Sequence, residues 1–212
     1  MILHGFFRSS ASYRVRIALN LKGVQVRHQT HHLRKGEHRS AGYLTVNPQG
    51  LVPALVLDDG RTITQSLAII EWLEETVPKP ALLPADPFAR AQVRAFADVI
   101  ACDTHPLQNL KVLNEVRTIS GSEEAAQAWA RRVNEEGLDW CEQALRGGHT
   151  RFAFGETPML ADICLVPQLG NARRFKADIS RWPRLLEIEA NCMALDAFAN
   201  AAPDKQPDAE PA

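Results

Sequence analysis

The chain opens on an apolar run from Ile2 to Phe6 and Phe7 that reads as a strand, and polar Arg8, Ser9 and Ser10 stop it. From Ser12 the period changes to that of a helix. Val15, Ala18 and Leu19 share one face, with Ile17 and Leu21 beside it. Ser9, Ser10 and Ser12 are all suitable N-caps, and Gly23 is a suitable stop. Val24, Val26, His28 and Thr30 then alternate with polar residues, which predicts a second strand. A charged stretch at 34–40 leads into a short segment that ends at the turn Asn47-Pro48-Gln49-Gly50. Residues 53–57 and 61–64 read as a hairpin around Asp58-Asp59-Gly60. From Ser66 a capped helix follows, with Leu67, Ile70, Trp72 and Leu73 inward and Pro78 and Pro80 as stops.

This order, β-α-β and then β-β-α, predicts a thioredoxin-like α/β domain over residues 1–77. Residues 78–86 are rich in proline and read as a linker. Beyond them no strand period recurs. Helical patterns cover 87–118 and 123–146, broken at Ser120-Gly121-Ser122, and then 160–172 and 182–200. The expectation is an all-helical bundle over 87–202, followed by a Pro-rich, acidic, disordered tail at 203–212.

Composition narrows the function. A net charge of −1 over 212 residues gives no global attraction to nucleic acid. No apolar run is long enough to span a membrane, and no signal peptide opens the chain. Cys102, Cys141, Cys164 and Cys192 show no close pairing, so the expectation is free thiols in a reducing cytoplasm. His28, His31, His32 and His38 could suggest a metal. His28 and His32 lack a fixed carboxylate partner in sequence, and a solvated strand edge is the plainer reading, so no metal is expected.

The first helix start carries candidate chemistry. A helix N-terminus with free N–H groups favours an anion such as a thiolate, and Arg8 adds a full charge. A capped helix with a solvated Arg8 is the plainer alternative. Thiol exchange needs a cysteine at this place, and residues 1–77 contain none. Any thiol chemistry must therefore use a thiol that a ligand brings. A cis bond at Val52-Pro53, opposite this helix, would turn the Val52 N–H and C=O outward to hold an extended peptide. Ser66, at the next helix start, is either a carboxylate holder or a plain N-cap.

Taken together, RSSASYRVRIALNLKG, NPQGLVPAL, TQSLAIIEWLEE, HPLQNLKVL and LADICLVPQLGNARRFKADISRWP resemble the zeta class of glutathione transferases, which includes maleylacetoacetate and maleylpyruvate isomerases. The similarity spans nearly the whole chain. It implies that Ser9, with Ser10 beside it, stabilises the glutathione thiolate, and that Val52 pairs with the backbone of the glutathione cysteine. It further implies that Gln65 and Ser66 hold the γ-glutamyl end, and that His38, His105 and Asn109 also contact glutathione. Arg8 and Arg174 match arginines for substrate carboxylates, and Lys111 stands where some maleylpyruvate isomerases have arginine. The implied function is glutathione-dependent cis–trans isomerisation of maleylacetoacetate, by reversible thiolate addition, in a homodimer. Maleylpyruvate as substrate, or a non-catalytic glutathione-binding adaptor, are the alternatives. Two departures stand out: Ala11 replaces the cysteine of many members, and Met159 lacks the hydroxyl that usually caps the helix before Asp162.

Overall fold

The computed structural model describes residues 1–210. They form two compact units, one of Met1–Ala81 joined by the segment from Ala194 onward, the other of Leu82–Met193.

The first unit is built on a sheet of four strands in the order β2-β1-β3-β4: β1 Ile2–Gly5, β2 Arg27–Thr30, β3 Ala54–Val56 and β4 Thr62–Thr64. β2 runs parallel to β1, with Ile2 opposite Arg27. β3 is antiparallel to β1, with His4 opposite Ala54, and β4 closes the hairpin with Ala54 opposite Thr64. This is the thioredoxin-like arrangement that the strand and helix periods predict.

Side chains alternate across β1. Leu3 and Gly5 face α1 (Ser10–Lys22), where Ser12 packs so closely that a Cβ on Gly5 would meet its Oγ at 3.2 Å. His4 faces the other way, onto Tyr43 of the short α2 (Ala41–Val46). α1 packs against α3 (Ser66–Thr76). Ile69, Ile70 and Leu73 are the buried apolar face of α3, while Leu67 and Trp72, expected inward, are half-buried. Lys22 and Glu74 form a buried ion pair at 2.6 Å, and the same ammonium donates to the Pro80 carbonyl at 2.7 Å.

The second unit is helical: α4 Pro87–Asp98, α5 Leu110–Ser120, α6 Glu123–Ala144, α7 Leu160–Arg174 and α8 Pro183–Met193. The long helix expected over 87–118 is broken. A π-helical turn at Val99–Thr104 and a 3-10 turn at His105–Gln108 intervene before Asn109 caps α5. Pro106 has no N–H to continue a helix, and the widened turn seats Thr104 directly against Gly137 of α6. A Cβ at Gly137 would lie 2.1 Å from the Thr104 hydroxyl oxygen, so only glycine allows that approach.

The bundle ends at Met193, not at residue 202 as its helical periodicity suggests. α9 (Asp196–Ala199) lies along α1, where Tyr13 donates to the Phe198 carbonyl at 3.3 Å and Asn20 donates to that of Ala197 at 3.0 Å. Residues 203–210, expected to be a disordered tail, also dock on the first unit. Buried Phe198, Ala201 and Ala202 anchor their approach, and the acidic side chains then find donors: Asp208 at the Phe7 N–H, Glu210 at His32 and Lys35. Residues 211 and 212 of the expected tail lie outside the described residues. None of the described helices is long and apolar enough to cross a membrane.

Candidate active site

Ser9 is the N-cap of α1. Its Oγ accepts from the Ser12 N–H at 3.2 Å, and its carbonyl accepts from the Tyr13 N–H at 2.8 Å. A hydroxyl that accepts through a lone pair keeps its proton for donation. Capping and thiolate stabilisation are therefore compatible at Ser9, and not alternatives. Ser10 is the first helical residue and is buried. Arg8 is half-buried, with its guanidinium 6.0 Å from the Phe7 ring centre. Burial lowers its pKa, the charge of Arg34 lowers it further, and Glu210 opposes them.

Val52-Pro53 is cis, as its position in the pattern predicts. Among the described residues the Val52 N–H and C=O have no protein hydrogen bond. The carbonyl just before them is fixed twice: Leu51 C=O accepts from the Tyr43 hydroxyl at 2.5 Å and from Asn47 Nδ2 at 2.7 Å. Tyr43 is buried, which pushes its phenol up to about 12 and keeps it a donor. His38 lies in the 3-10 turn Glu37–Arg39, half-exposed, with Nδ1 buried and unpartnered. Burial, and then Arg39, lowers its pKa, which keeps it neutral.

The start of α3 is open. Gln65 precedes it with φ 70 and ψ 124, and no side chain caps the helix. Its amide donates to Gln49 Oε1 at 3.2 Å. Ser66 is the first helical residue and not the N-cap, so the plain-cap alternative falls. Its buried hydroxyl accepts from Nη1 of Arg14 at 3.4 Å, and Arg14 is itself 1% exposed. A helix dipole and a buried guanidinium thus converge on one hydroxyl, an electropositive arrangement of the kind that suits a carboxylate.

In the second unit His105 opens the 3-10 turn, and Asn109 spends Oδ1 on the Lys111 N–H at 2.9 Å. Lys111 is exposed in the first turn of α5. Arg174 is exposed at the end of α7, stacked over the Phe175 ring at 4.5 Å. Phe175 packs with Leu113 of α5 and Ala130 of α6, so the start of α5 and the end of α7 meet at that cluster. The neighbouring Arg173 is bound to Glu189 through both of its terminal nitrogens, one of them at 2.6 Å, so it is committed to the fold.

The sequence reading missed four contributors. Arg14, Tyr43 and Asn47 brace Ser66 and the Leu51 carbonyl from behind, and an Arg among the apolar positions of α1 or an Asn before Pro-Gln-Gly was the available signal. The fourth is the C-terminal segment, whose acidic composition pointed the other way. One histidine reading is corrected: His32 does have a carboxylate partner, Glu210, at 3.2 Å, because the C-terminal segment returns to it. His4 Nδ1 and His31 Nε2 are 2.8 Å apart, and burial lowers both pKa values, so the pair is neutral and shares an N–H. Among the described residues no group of acidic, histidine and cysteine side chains has the arrangement of a metal site. Cys141 and Cys192 are buried, which pushes their thiols up, and no cysteine is disulfide-bonded.

Residues 8–76 match the family described as "Glutathione S-transferase, N-terminal domain", and residues 123–188 match its C-terminal counterpart. A maleylpyruvate isomerase of a Ralstonia species is 48% identical, over 98% of this chain and 99% of that protein. Among solved structures, a maleylpyruvate isomerase described as a bacterial glutathione S-transferase of the zeta class superposes with a TM-score of 0.95 at 46% identity, covering 99% of this chain and 100% of that one. A maleylacetoacetate isomerase from Anaeromyxobacter dehalogenans, holding dicarboxyethyl glutathione and citrate in its active site, gives a TM-score of 0.89 at 43% identity, with 99% and 94% coverage.

Proposed function

We propose a function from one premise: the chain belongs to the zeta class of glutathione transferases, the family of maleylacetoacetate and maleylpyruvate isomerases. It is a glutathione-dependent cis–trans isomerase, and glutathione is its cofactor. The residues of the first unit suit that tripeptide. Unpartnered Val52 N–H and C=O groups suit its extended backbone, and the open, arginine-backed start of α3 suits its γ-glutamyl carboxylate. Glutathione supplies a thiolate, whose reversible addition to a conjugated double bond leaves a single bond free to rotate.

In this proposal the chain's own residues do the following. Ser9 donates its hydroxyl proton to the sulfur, and the N-terminus of α1 adds its dipole, so the thiol ionises near neutral pH. Ser10 supports this as part of the same helix start. Val52 orients the cysteine backbone, and Gln65 and Ser66 hold the γ-glutamyl end. His38, His105 and Asn109 complete the glutathione contacts. Arg8, Lys111 and Arg174 receive the anionic ends of the substrate and the negative charge that develops beside them.

The proposed substrate is maleylacetoacetate, converted to fumarylacetoacetate. The observation that carries the isomerase reading is that neither Arg8 nor Lys111 forms an ion pair within the described residues, which leaves both charges for an anionic substrate. Relatives of either substrate are of similar identity, so maleylpyruvate is the second reading. Spectrophotometric turnover of both compounds at saturating glutathione separates them. A higher kcat/KM for maleylpyruvate overturns the first choice, and no turnover of either leaves a glutathione-binding adaptor. We further propose a homodimer in the cytoplasm, to be tested by sedimentation velocity and by fractionation.

A further inference from the structure

The C-terminal segment touches the molecule at the loop that carries Arg8 and Ser9. Phe7 N–H donates to Asp208 Oδ2 at 3.0 Å. The Phe7 and Phe6 carbonyls accept from Nη2 and Nη1 of Arg16, at 3.1 and 3.4 Å. The third edge of the same guanidinium, Nε, donates to the Ala201 carbonyl at 2.9 Å. One planar cation, bonded through all three of its nitrogens, thus binds the loop on one side and the C-terminal segment on the other. Glu210 then reaches past the loop to His32 Nε2 at 3.2 Å and Lys35 Nζ at 3.5 Å, on the side where Arg8 feels its charge.

We propose that Asp208 is a positioning residue for the thiolate loop: with Arg16 it fixes the backbone of residues 6–8, and so the place from which Ser9 and Arg8 act. The inference rests on the reading of Ser9 given above. Three observations carry it. The hydrogen bonds that Asp208 and Arg16 make to this loop fall on the Phe6 and Phe7 backbone, immediately before Arg8 and Ser9. α1 needs no such help to form, since Ser9 caps its start and Gly23 in the left-handed region caps its end. Arg16 is 5% exposed, and a guanidinium kept in the interior must have its donors used. Burial brings its pKa to about 10, with Asp208 opposing, so it stays charged at neutral pH. A hydroxyl displaced by a fraction of an ångström no longer points at the sulfur, and misplacement of that order is costly to turnover.

The test compares Asp208→Ala, Asp208→Asn and Ser9→Ala in the full chain. Three quantities are read: amide hydrogen exchange at residues 6–9 without ligand, the pH titration of bound glutathione by thiolate absorbance, and kcat against the glutathione KM. Asp208→Ala is expected to speed exchange at Phe7 and to move thiol ionisation to higher pH. It should lower kcat by about ten-fold, short of the ~100-fold that an ångström of misplacement can cost, with the glutathione KM nearly unchanged. Asp208→Asn keeps an acceptor oxygen and should restore most of each readout. Faster exchange with an unmoved titration and kcat would make the segment structural only and overturn the inference. If Ser9→Ala also leaves the titration unmoved, the reading of Ser9 fails and this inference fails with it. If Ser9→Ala moves it and Asp208→Ala does not, this inference alone fails.

Discussion

Helices α3 and α7 both begin after a residue with no capping hydroxyl, Gln65 in one and Met159 in the other. At α7 the deficit is closed from within. Asp162, a turn into the helix and fully buried, accepts from the Met159 N–H at 2.8 Å and from the Ala153 N–H at 2.9 Å. At α3 nothing closes it. Gln65 holds the backbone at a positive φ, no side chain folds back, and Arg14 adds charge behind Ser66. At α7 the fold thus supplies acceptors around the helix start, the Leu160 N–H donating to the Leu82 carbonyl at 2.9 Å as well, whereas at α3 no side chain among the described residues accepts from the first turn. A missing hydroxyl has no meaning of its own, and the fate of the donors gives it one. Asp162 bears a cost for its role. Burial pushes its carboxyl up to about 6, against the pull of its backbone donors and of Arg184.

Asp162→Ala breaks the closed end and should have the largest effect, about 3 kcal/mol of stability, because two buried N–H groups lose their acceptor. Chemical denaturation measures it, and glutathione affinity should hold. The pH dependence sharpens the point. The folded-state pKa of Asp162, about 6, lies above its ordinary 3.8. Its contribution to stability is therefore complete below pH 3.8 and is lost as pH rises through 6. Asp162→Asn should remove that slope while keeping one acceptor, and an unchanged slope would show that another group carries it.

At the open end, Ser66→Ala should weaken glutathione by about ten-fold, or ~1.4 kcal/mol, by calorimetry. A loss of stability without a loss of affinity would make Ser66 part of the fold, like Asp162. Gln65→Gly should stabilise the protein by about 1 kcal/mol by relieving the positive φ, and weaken glutathione through the lost amide. A destabilised variant would mean that the Gln65–Gln49 contact outweighs the backbone cost. The smallest effect belongs to Met159→Ser, which adds the missing hydroxyl at α7 and should raise stability by about 0.5 kcal/mol. No gain would show that Asp162 leaves no donor unmet.

Much of this was legible in the chain. The period of two in the first strands and the period near four in the helices name the layers, because a half-buried strand and an amphipathic helix must each show one face to the core. Ser9 as a cap and Gly23 as a stop follow from local backbone preferences that need no partner, whereas the cis Val52-Pro53 bond follows from its place in the pattern opposite α1. The failures share a cause. Residues 87–118 have an unbroken helical period, but Thr104 meets Gly137 of another helix, and Pro106 and Asn109 then reset the chain. The acidic end from Pro203 has the composition of a tail, yet its carboxylates find the Phe7 N–H, His32 and Lys35.

By itself, the sequence determined the strand and helix order, the two kinds of unit, the absence of a protein thiol near the first helix, and the residue types that suit a thiolate and carboxylates. These depend on neighbours a few positions apart. Only the tertiary structure decided where the second unit ends, that Ser66 is backed by Arg14 and is not a cap, that Tyr43 and Asn47 fix the carbonyl ahead of Val52, and that the last described residues hold the loop before α1. Each of those joins groups far apart in the chain. A hydrogen bond between distant residues is set by where packing brings donor and acceptor, and local propensity carries no record of it.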